Sequence, residues 1–129
     1  MTPHDALREL LQRYARAADD RDVTALASLF HPEAEIIGAR GPQPLDDWLA
    51  TMRAPRPFPS SMHLIGDPLI VVDDSNHATM DTYAVVYQLS DPASADADLT
   101  LGIRYLDEAV VHDGRWVLRR RHARTLWMR

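Results

Sequence analysis

The stretch of residues 99–127, "LTLGIRYLDEAVVHDGRWVLRRRHARTLW", predicts two long β-strands joined by a tight turn. Apolar and polar side chains alternate through most of it, which is the pattern of a strand that buries one face. The dipeptide Asp113-Gly114 interrupts this alternation. It is typical of a two-residue hairpin turn, because both central residues of such a turn need a positive φ. We therefore expect strands at 99–111 and 115–127.

Two further segments with a period of two lie before this hairpin. They are residues 62–72, "MHLIGDPLIVV", and residues 77–90, "HATMDTYAVVYQLS", and the polar segment 90–98 follows them. Four long strands separated by polar turns predict a strongly curved antiparallel sheet.

The N-terminal third of the chain predicts three helices and only one short strand. Residues 2–22 carry an apolar stripe of helical period, and residues 22–30 and 41–53 predict two shorter helices. Residues 31–38, "HPEAEIIG", give a proline break and then a short strand. The stripe on the first helix consists of Leu7, Leu10, Leu11, Tyr14 and Ala18.

Helices followed by strands indicate an α+β fold, and a chain of 129 residues is the size of one domain, residues 1–129. We expect the helices to pack on the curved sheet. A central pocket between the two layers is where a small ligand would bind.

The composition excludes several kinds of chemistry. The chain has no cysteine, and all of its 14 basic residues are arginines. It therefore has no disulfide, thiol nucleophile, Schiff-base lysine or P-loop lysine. No histidines show a metal-ligand spacing such as HExxH, and no glycine-rich cofactor loop is present. We therefore expect no metal and no cofactor.

The charge and hydropathy of the chain restrict its partners and its location. The formal net charge of −5 argues against a nucleic-acid partner. No apolar run approaches the roughly 20 residues of a membrane span, and the N-terminus does not resemble a signal peptide. We expect a cytoplasmic protein that acts on a hydrophobic small molecule.

Two residues suggest a specific chemistry. Asp19 ends the predicted first helix near its apolar side, and His63 stands at the start of the predicted strand 62–72. Each residue alone is most simply explained without chemistry, Asp19 as a solvated acid and His63 as a core histidine. Together, a carboxylate that holds Nδ1–H of a histidine leaves Nε2 free as a general base near neutral pH.

The chain resembles the SnoaL-like branch of the nuclear-transport-factor-2-like superfamily over residues 4–127. The resemblance is carried by five segments in the same order and spacing: "LLQRYARAADDRDVTALASLF", "MHLIGDPLIVV", "TYAVVYQ", "GIRYLDE" and "DGRWVLRRR". It implies the cone-shaped α+β fold, which hosts dehydratases, isomerases, cyclases, epoxide hydrolases and binding proteins.

Scytalone-dehydratase-type enzymes are the nearest catalytic parallel that this resemblance offers. It implies that His63 and Asp19 are the catalytic pair, with Asp22 as a second aspartate three residues on. A further histidine of such enzymes falls at Gln88, which cannot titrate. Two tyrosines that position a water in those enzymes fall at Ala18 and Gly38, so scytalone itself is not the expected substrate.

Strand alternation predicts further residues that face the pocket. In residues 99–105 the face of Leu101, Ile103 and Tyr105 is expected to point inward, as the resemblance also implies. In the predicted strand 115–127 the same alternation points the face that carries Arg121 into the pocket. There Arg121 could hold a substrate carboxylate or enolate. A slip of one residue would bring Arg120 and His122 there instead. That expected inward face consists of Val117, Arg119, Arg121 and Ala123.

Two aromatic residues complete the candidate substrate-binding set. Tyr14 is expected mainly to pack in the core, with its hydroxyl available to the pocket. Trp48 is expected to close the core or the rim of the pocket. With Gln88, Tyr105 and Arg121, they are the predicted substrate-binding residues.

The leading functional hypothesis is a cofactor-free dehydratase, isomerase or cyclase that acts on a hydrophobic, polyketide-like carbonyl compound. In it, His63 removes a proton α to the carbonyl and Asp19 orients the imidazole. One alternative is a binding or dimerisation module without chemistry. Another is an epoxide hydrolase or isomerase in which Asp19 itself reacts and His63 is structural.

A homodimer is also expected. The outward face of the strand at 77–90 carries an apolar row that would be a liability on a monomer. The row consists of Tyr83, Val85, Tyr87 and Leu89.

Overall fold

The computed structural model describes residues 1–129 and contains three helices and seven strands. The helices are α1 (Pro3–Asp19), α2 (Val23–Ser28) and α3 (Leu45–Arg53), and the strands are β1 (Phe30–Gly38), β2 (Gly41–Pro44), β3 (Ser60–Ile65), β4 (Leu69–Asp74), β5 (His77–Leu89), β6 (Leu99–His112) and β7 (Arg115–Met128). No helix combines the length and the apolar character that a membrane span requires.

Helix α1 begins with capping residues that its sequence supplies. The hydroxyl oxygen of Thr2 accepts a hydrogen bond from the backbone N–H of Asp5, and Pro3 occupies the first helical position. Both features favour a helix start. The buried face of α1 includes the whole predicted stripe: Leu7, Leu10, Leu11, Tyr14 and Ala18.

The seven strands form one curved, unclosed sheet in the order β2-β1-β7-β6-β5-β3, with β4 also paired to β5. The prediction of an antiparallel sheet is wrong for one pair of strands, because β1 runs parallel to β7. The other pairs are antiparallel. The predicted turn is present, since Asp113 and Gly114 both have positive φ.

Two of the predicted elements are divided in the structure. Residues 41–44 form strand β2 and not the first turn of a helix, so α3 begins only at Leu45. The expected strand at 62–72 is two strands, β3 and β4, that both pair with the same edge of β5. Gly66 lies at their junction, where its N–H donates to the carbonyl oxygen of Tyr83 at 2.8 Å.

A β-bulge in β7 changes the predicted alternation of that strand. Arg120 pairs with Glu108 while Leu118 pairs with Ala109, so Arg119 is left over between them. As a result Leu118 and Arg121, three residues apart, are buried on the same side, and the prediction of Val117 and Arg119 on the face of Arg121 is wrong. Arg119 instead donates to the backbone carbonyl of Glu33.

The hydrophobic core lies between the helices and the face of the sheet that they cover. Its centre is aromatic, with Tyr14, Phe30, Trp48 and Tyr105 all at most 9% exposed. The opposite face of the sheet remains exposed. A cavity can therefore form on the covered, inner face, which β3, β5, β6 and β7 share.

Candidate functional site

The last residue of α1, Asp19, is tied to strand β3 by three hydrogen bonds. Its Oδ2 accepts from the backbone N–H of His63 at 2.9 Å, and its Oδ1 accepts from Oγ of Ser61 at 2.9 Å. The same Oδ1 lies 2.6 Å from Nδ1 of His63. Because an ionised carboxylate can only accept, this contact places the proton of a neutral imidazole on Nδ1.

His63 lies between Asp19 and a cavity. Its side chain is 11% exposed, it lines the cavity wall, and its Nε2 makes no hydrogen bond within the protein. Burial lowers the pKa of His63, the hydrogen bond and charge of Asp19 oppose that effect, and the nearby cations Arg121 and Arg56 add to it. The net lowering of the pKa keeps the imidazole neutral at neutral pH, with a free lone pair on Nε2.

The cavity encloses about 360 Å³ between the helices and the sheet. Twenty residues line it, contributed by α1, α3 and β3, by β1, β2, β5, β6 and β7, and by the segments after β1 and α3. Eleven of them are apolar, as expected for a site that receives a hydrophobic body. Inward Leu101, Ile103 and Tyr105 confirm the face predicted for β6.

Tyr14 joins the histidine to the aromatic part of the cavity. Its ring is edge-on to His63 at 6.0 Å and to Tyr105 at 6.1 Å, and it stacks on Trp48 at 6.5 Å between ring centroids. Burial raises the pKa of Tyr105 well above its ordinary value, so its phenol stays protonated and can donate a hydrogen bond.

Arg121 is the most deeply buried charged group of the cavity. Its guanidinium lies between the rings of Tyr14 and Tyr105, with Cζ 4.2 Å and 3.9 Å from their centroids. Nε and Nη2 donate to the two oxygens of Asp107 at 2.7 Å and 2.9 Å, and both side chains are almost fully buried. Burial disfavours the charged guanidinium, yet Asp107 and the tyrosines hold the pKa of Arg121 above its ordinary value.

One nitrogen of this buried arginine has no partner. Nη1 of Arg121 is buried and forms no hydrogen bond, although the side chain lines the cavity. A buried donor without a partner is costly, so such a group in a native structure calls for an explanation. The guanidinium therefore holds one buried N–H donor whose hydrogen-bonding capacity is unused within the protein.

All the predicted site residues except Asp19 line the cavity themselves, whereas Asp19 stands behind His63. Arg121, and not Arg120 or His122, takes the inward position. Asp22 is outside the site, because its side chain caps α2 at Ala25. The residues that line the cavity are Tyr14, Trp48, His63, Gln88, Tyr105 and Arg121.

Sequence reasoning missed four residues of this site. Ser61 and Asp107 lie two residues from His63 and Tyr105, so strand alternation places each pair on one face and could have revealed them. Arg40 and Arg56 lie on connecting segments, where no periodic signal exists. No three His, Asp or Glu side chains converge as ligands for a metal ion.

Comparison with known proteins agrees with the fold. Residues 1–122 match the model of the SnoaL-like domain family, whereas no curated protein sequence matches the chain. A scytalone dehydratase candidate from Novosphingobium aromaticivorans is 21% identical, with a TM-score of 0.87 over 97% of this chain and 85% of that chain. The Kfla4162 protein from Kribbella flavida is 22% identical, with a TM-score of 0.85 over 97% of this chain and 91% of that chain.

A third solved structure extends the range of activities among the neighbours. It is a hexachlorocyclohexane dehydrochlorinase, LinA type 3, from Novosphingobium barchaimii, 15% identical, with a TM-score of 0.79 over 97% of this chain and 87% of that chain. At these identities the likeness shows the shared fold. The predicted nuclear-transport-factor-2-like fold is therefore confirmed.

Proposed function

The chain belongs to the SnoaL-like domain family, and from this premise we propose that it is a cofactor-free enzyme that removes a proton α to a carbonyl group. Its substrate has a hydrophobic body, and the outcome is dehydration, isomerisation or ring closure. The observation that carries this proposal is the Asp19–His63 hydrogen bond of 2.6 Å, with the second nitrogen of His63 free on the cavity wall.

In the proposed reaction, the lone pair of Nε2 of His63 takes the α-proton, and the electron pair of the broken C–H bond moves onto the carbonyl oxygen as an enolate. Asp19 holds the ring orientation and stabilises the imidazolium that forms. Nη1 of Arg121 donates to the enolate oxygen. In dehydration, the electron pair of the enolate then forms a C=C bond while the C–O bond of the β-hydroxyl breaks, and the imidazolium gives its proton to that hydroxyl, which leaves as water. In isomerisation, the imidazolium returns the proton to another carbon of the enolate. In ring closure, the enolate carbon attacks a second carbonyl carbon of the substrate and the imidazolium protonates the alkoxide that forms.

The position of Asp19 supports His63, and not Asp19, as the reacting group. The carboxylate accepts three hydrogen bonds and does not line the cavity, whereas the imidazole does. Neutrality of His63 is also what a general base needs at its working pH. The proposal includes a cytoplasmic location and a homodimer, which remain predictions.

The test is α-hydrogen exchange, because it follows proton abstraction without requiring the natural substrate. The probe is 2-tetralone in D₂O, and NMR measures the rate at which its α-hydrogens are replaced. We expect the wild-type protein to accelerate exchange and His63→Ala to reduce that acceleration by roughly 10²–10⁴-fold, the usual contribution of a general base. His4→Ala removes an exposed histidine far from the cavity and is the matched control.

Each other result of this experiment favours a different function. Equal acceleration by wild type and His63→Ala would contradict the proposal. A larger loss in Asp19→Asn than in His63→Ala would favour the hypothesis in which Asp19 itself reacts. Absence of acceleration by the wild-type protein would favour the binding module.

A further inference from the structure

The cavity is a cationic region in an acidic protein. The chain carries a net charge of −5, yet none of the twenty cavity residues is Asp or Glu, and three are arginines. Arg121 is compensated by Asp107 from behind. The other two, Arg40 and Arg56, have no such partner.

Five arginines of the chain form ion pairs with carboxylates, and Arg40 and Arg56 are not among them. The contact of the Arg56 guanidinium is with Sδ of Met52 at 4.0 Å. Burial and the neighbouring positive charge of Arg21 both lower the pKa of Arg56, as expected for a cation without an anion. An anionic ligand at this position would remove that cost.

The two arginines reach the cavity from different segments. Arg40 lies in the turn between β1 and β2, and Arg56 lies in the proline-rich segment after α3. This segment is held in place from the turn between α1 and α2, because Nη2 of Arg21 donates to the carbonyl oxygen of Phe58 at 2.7 Å. Arg40 is exposed and Arg56 is half-buried, so both belong to the outer part of the cavity, while Nη1 of Arg121 is buried inside it.

We propose that the substrate is a carboxylic acid anion, with its carboxylate bound by Arg40 and Arg56 and its apolar body against Tyr14 and Trp48. This inference rests on the proposed function for the reacting end of the molecule, which lies at His63 and Arg121. It adds the class of the substrate: a hydrophobic oxo acid or hydroxy-oxo acid whose carboxylate is separate from the carbonyl group that reacts.

A carboxylate fits this position better than a phosphate. Guanidinium groups bind both anions, but phosphate sites commonly add backbone N–H groups at the N-terminus of a helix. Here the helical residues that line the cavity together with Arg56 include Thr51 and Met52, in the last turn of α3. The C-terminal end of a helix carries partial negative charge, which disfavours a dianion more than a monoanion.

The test is equilibrium binding of matched probes, measured by isothermal titration calorimetry. The probes are 1-naphthoate, its neutral amide 1-naphthamide, and 1-naphthyl phosphate. We expect the wild-type protein to bind 1-naphthoate roughly ten- to a hundredfold more tightly than the amide, and less so at higher salt. Arg56→Gln and Arg40→Gln should each reduce this preference, whereas Arg53→Gln, which removes an exposed charge outside the cavity, should retain it.

Three results would overturn the inference. They are equal affinity of the wild type for naphthoate and its amide, no detectable binding of naphthoate at millimolar concentration, and tighter binding of the phosphate than of the carboxylate. Circular dichroism of each variant verifies that it is folded.

The same probes separate this inference from the proposed function. The preference for naphthoate should persist in His63→Ala, because binding of the carboxylate does not require proton transfer. The wild-type protein could prefer naphthoate over its amide and yet not accelerate the hydrogen exchange of 2-tetralone. That result would refute the proposed function and leave the carboxylate site standing.

Discussion

The imidazole of His63 is subject to two opposing influences. Burial and the charges of Arg121 and Arg56 lower its pKa, and Asp19 raises it. Removing the carboxylate charge should therefore move the pKa further down. We expect Asp19→Asn to lower the pKa of His63, measured by NMR titration of the imidazole resonances, with the His4 resonances as internal reference. An unchanged His63 titration in the variant would contradict the pairing of these two residues.

The same shift has a consequence for stability. A histidine whose pKa is lower when folded binds fewer protons in the native state than in the unfolded chain. Its contribution to the free energy of unfolding is therefore present above about pH 6.5, the unfolded pKa, and is lost as the pH falls through the folded pKa. The contribution of His63 to the free energy of unfolding is thus lost at mildly acidic pH.

The Arg121–Asp107 pair and the Arg104–Asp81 pair are bidentate in the same way but differ in burial. The side chains of the first are 1% and 0% exposed, and those of the second are 35% and 27% exposed. We expect Asp107→Ala to lower the free energy of unfolding by about 3–5 kcal/mol, because a buried cation is left unpaired. The matched control, Asp81→Ala, should cost about 1 kcal/mol or less. Urea denaturation measures the free energy of unfolding of both variants. Equal losses of stability in the two variants would show that burial of the ion pair does not determine the cost of breaking it.

At the level of elements, strand β3 is positioned by the junction at Gly66, after which β4 continues along the same edge of β5. A methyl group on Gly66 would lie 2.9 Å from the carbonyl oxygen of Tyr83, which is backbone and cannot easily move. We expect Gly66→Ala to destabilise the protein by about 1–3 kcal/mol and to shift the NMR resonances of His63, three residues earlier in β3. Gly38→Ala is the control, since an added Cβ meets nothing within 4 Å. Unchanged stability of Gly66→Ala would show that the junction is not rigid.

The sequence predicts most elements because their periodicity is strong, as in α1 and β5. The prediction fails where a contact between distant parts of the chain determines the element. It also fails where neighbouring side chains are identical and therefore show no alternation. Residues 41–44 are predicted as the start of a helix, yet Pro42 and Pro44 lie in β2, an edge strand, where prolines are tolerated. In β7 the bulge falls at Arg119 within three consecutive arginines, so exchanging one for another leaves no trace in the pattern.

The candidate site was predictable to the same extent. Asp19 and His63 follow from their chemistry together with the family resemblance. The inward position of Arg121 follows from strand alternation, even though the bulge makes the same prediction wrong for Val117 and Arg119. Arg56 could not be found, because a proline-rich segment has no period and its position depends on Arg21.

At the level of the whole molecule, the outer face of the sheet carries the apolar surface that predicts a homodimer. Tyr83 and Leu64 are 60% and 59% exposed and line a groove of about 300 Å³ together with Trp127. The nearby charges of Arg104 and Asp81 already neutralise each other. A second copy of this face would cover the apolar surface without burying an unpaired charge.

We expect sedimentation velocity at micromolar concentration to give a dimer for the wild type and a monomer for the double variant Leu64→Glu, Tyr83→Glu. Two carboxylates on this face would remain unpaired if it were buried, which is costly. Ala93→Glu, in the exposed segment between β5 and β6, is the control and should remain dimeric. A monomeric wild type would contradict the predicted assembly.

The parallel pairing of β1 with β7 joins residues that are far apart in the chain: Phe30 is aligned with Leu118, and Ile36 with Arg121. During synthesis on the ribosome, β1 has no partner on this side until β7 has been made. Pairings of such long sequence separation also slow folding, because the intervening loop must close first. The nascent protein therefore acquires its cavity only after β7 has been made, and a chain that stops before β7 lacks both the partner of β1 and the buried arginine.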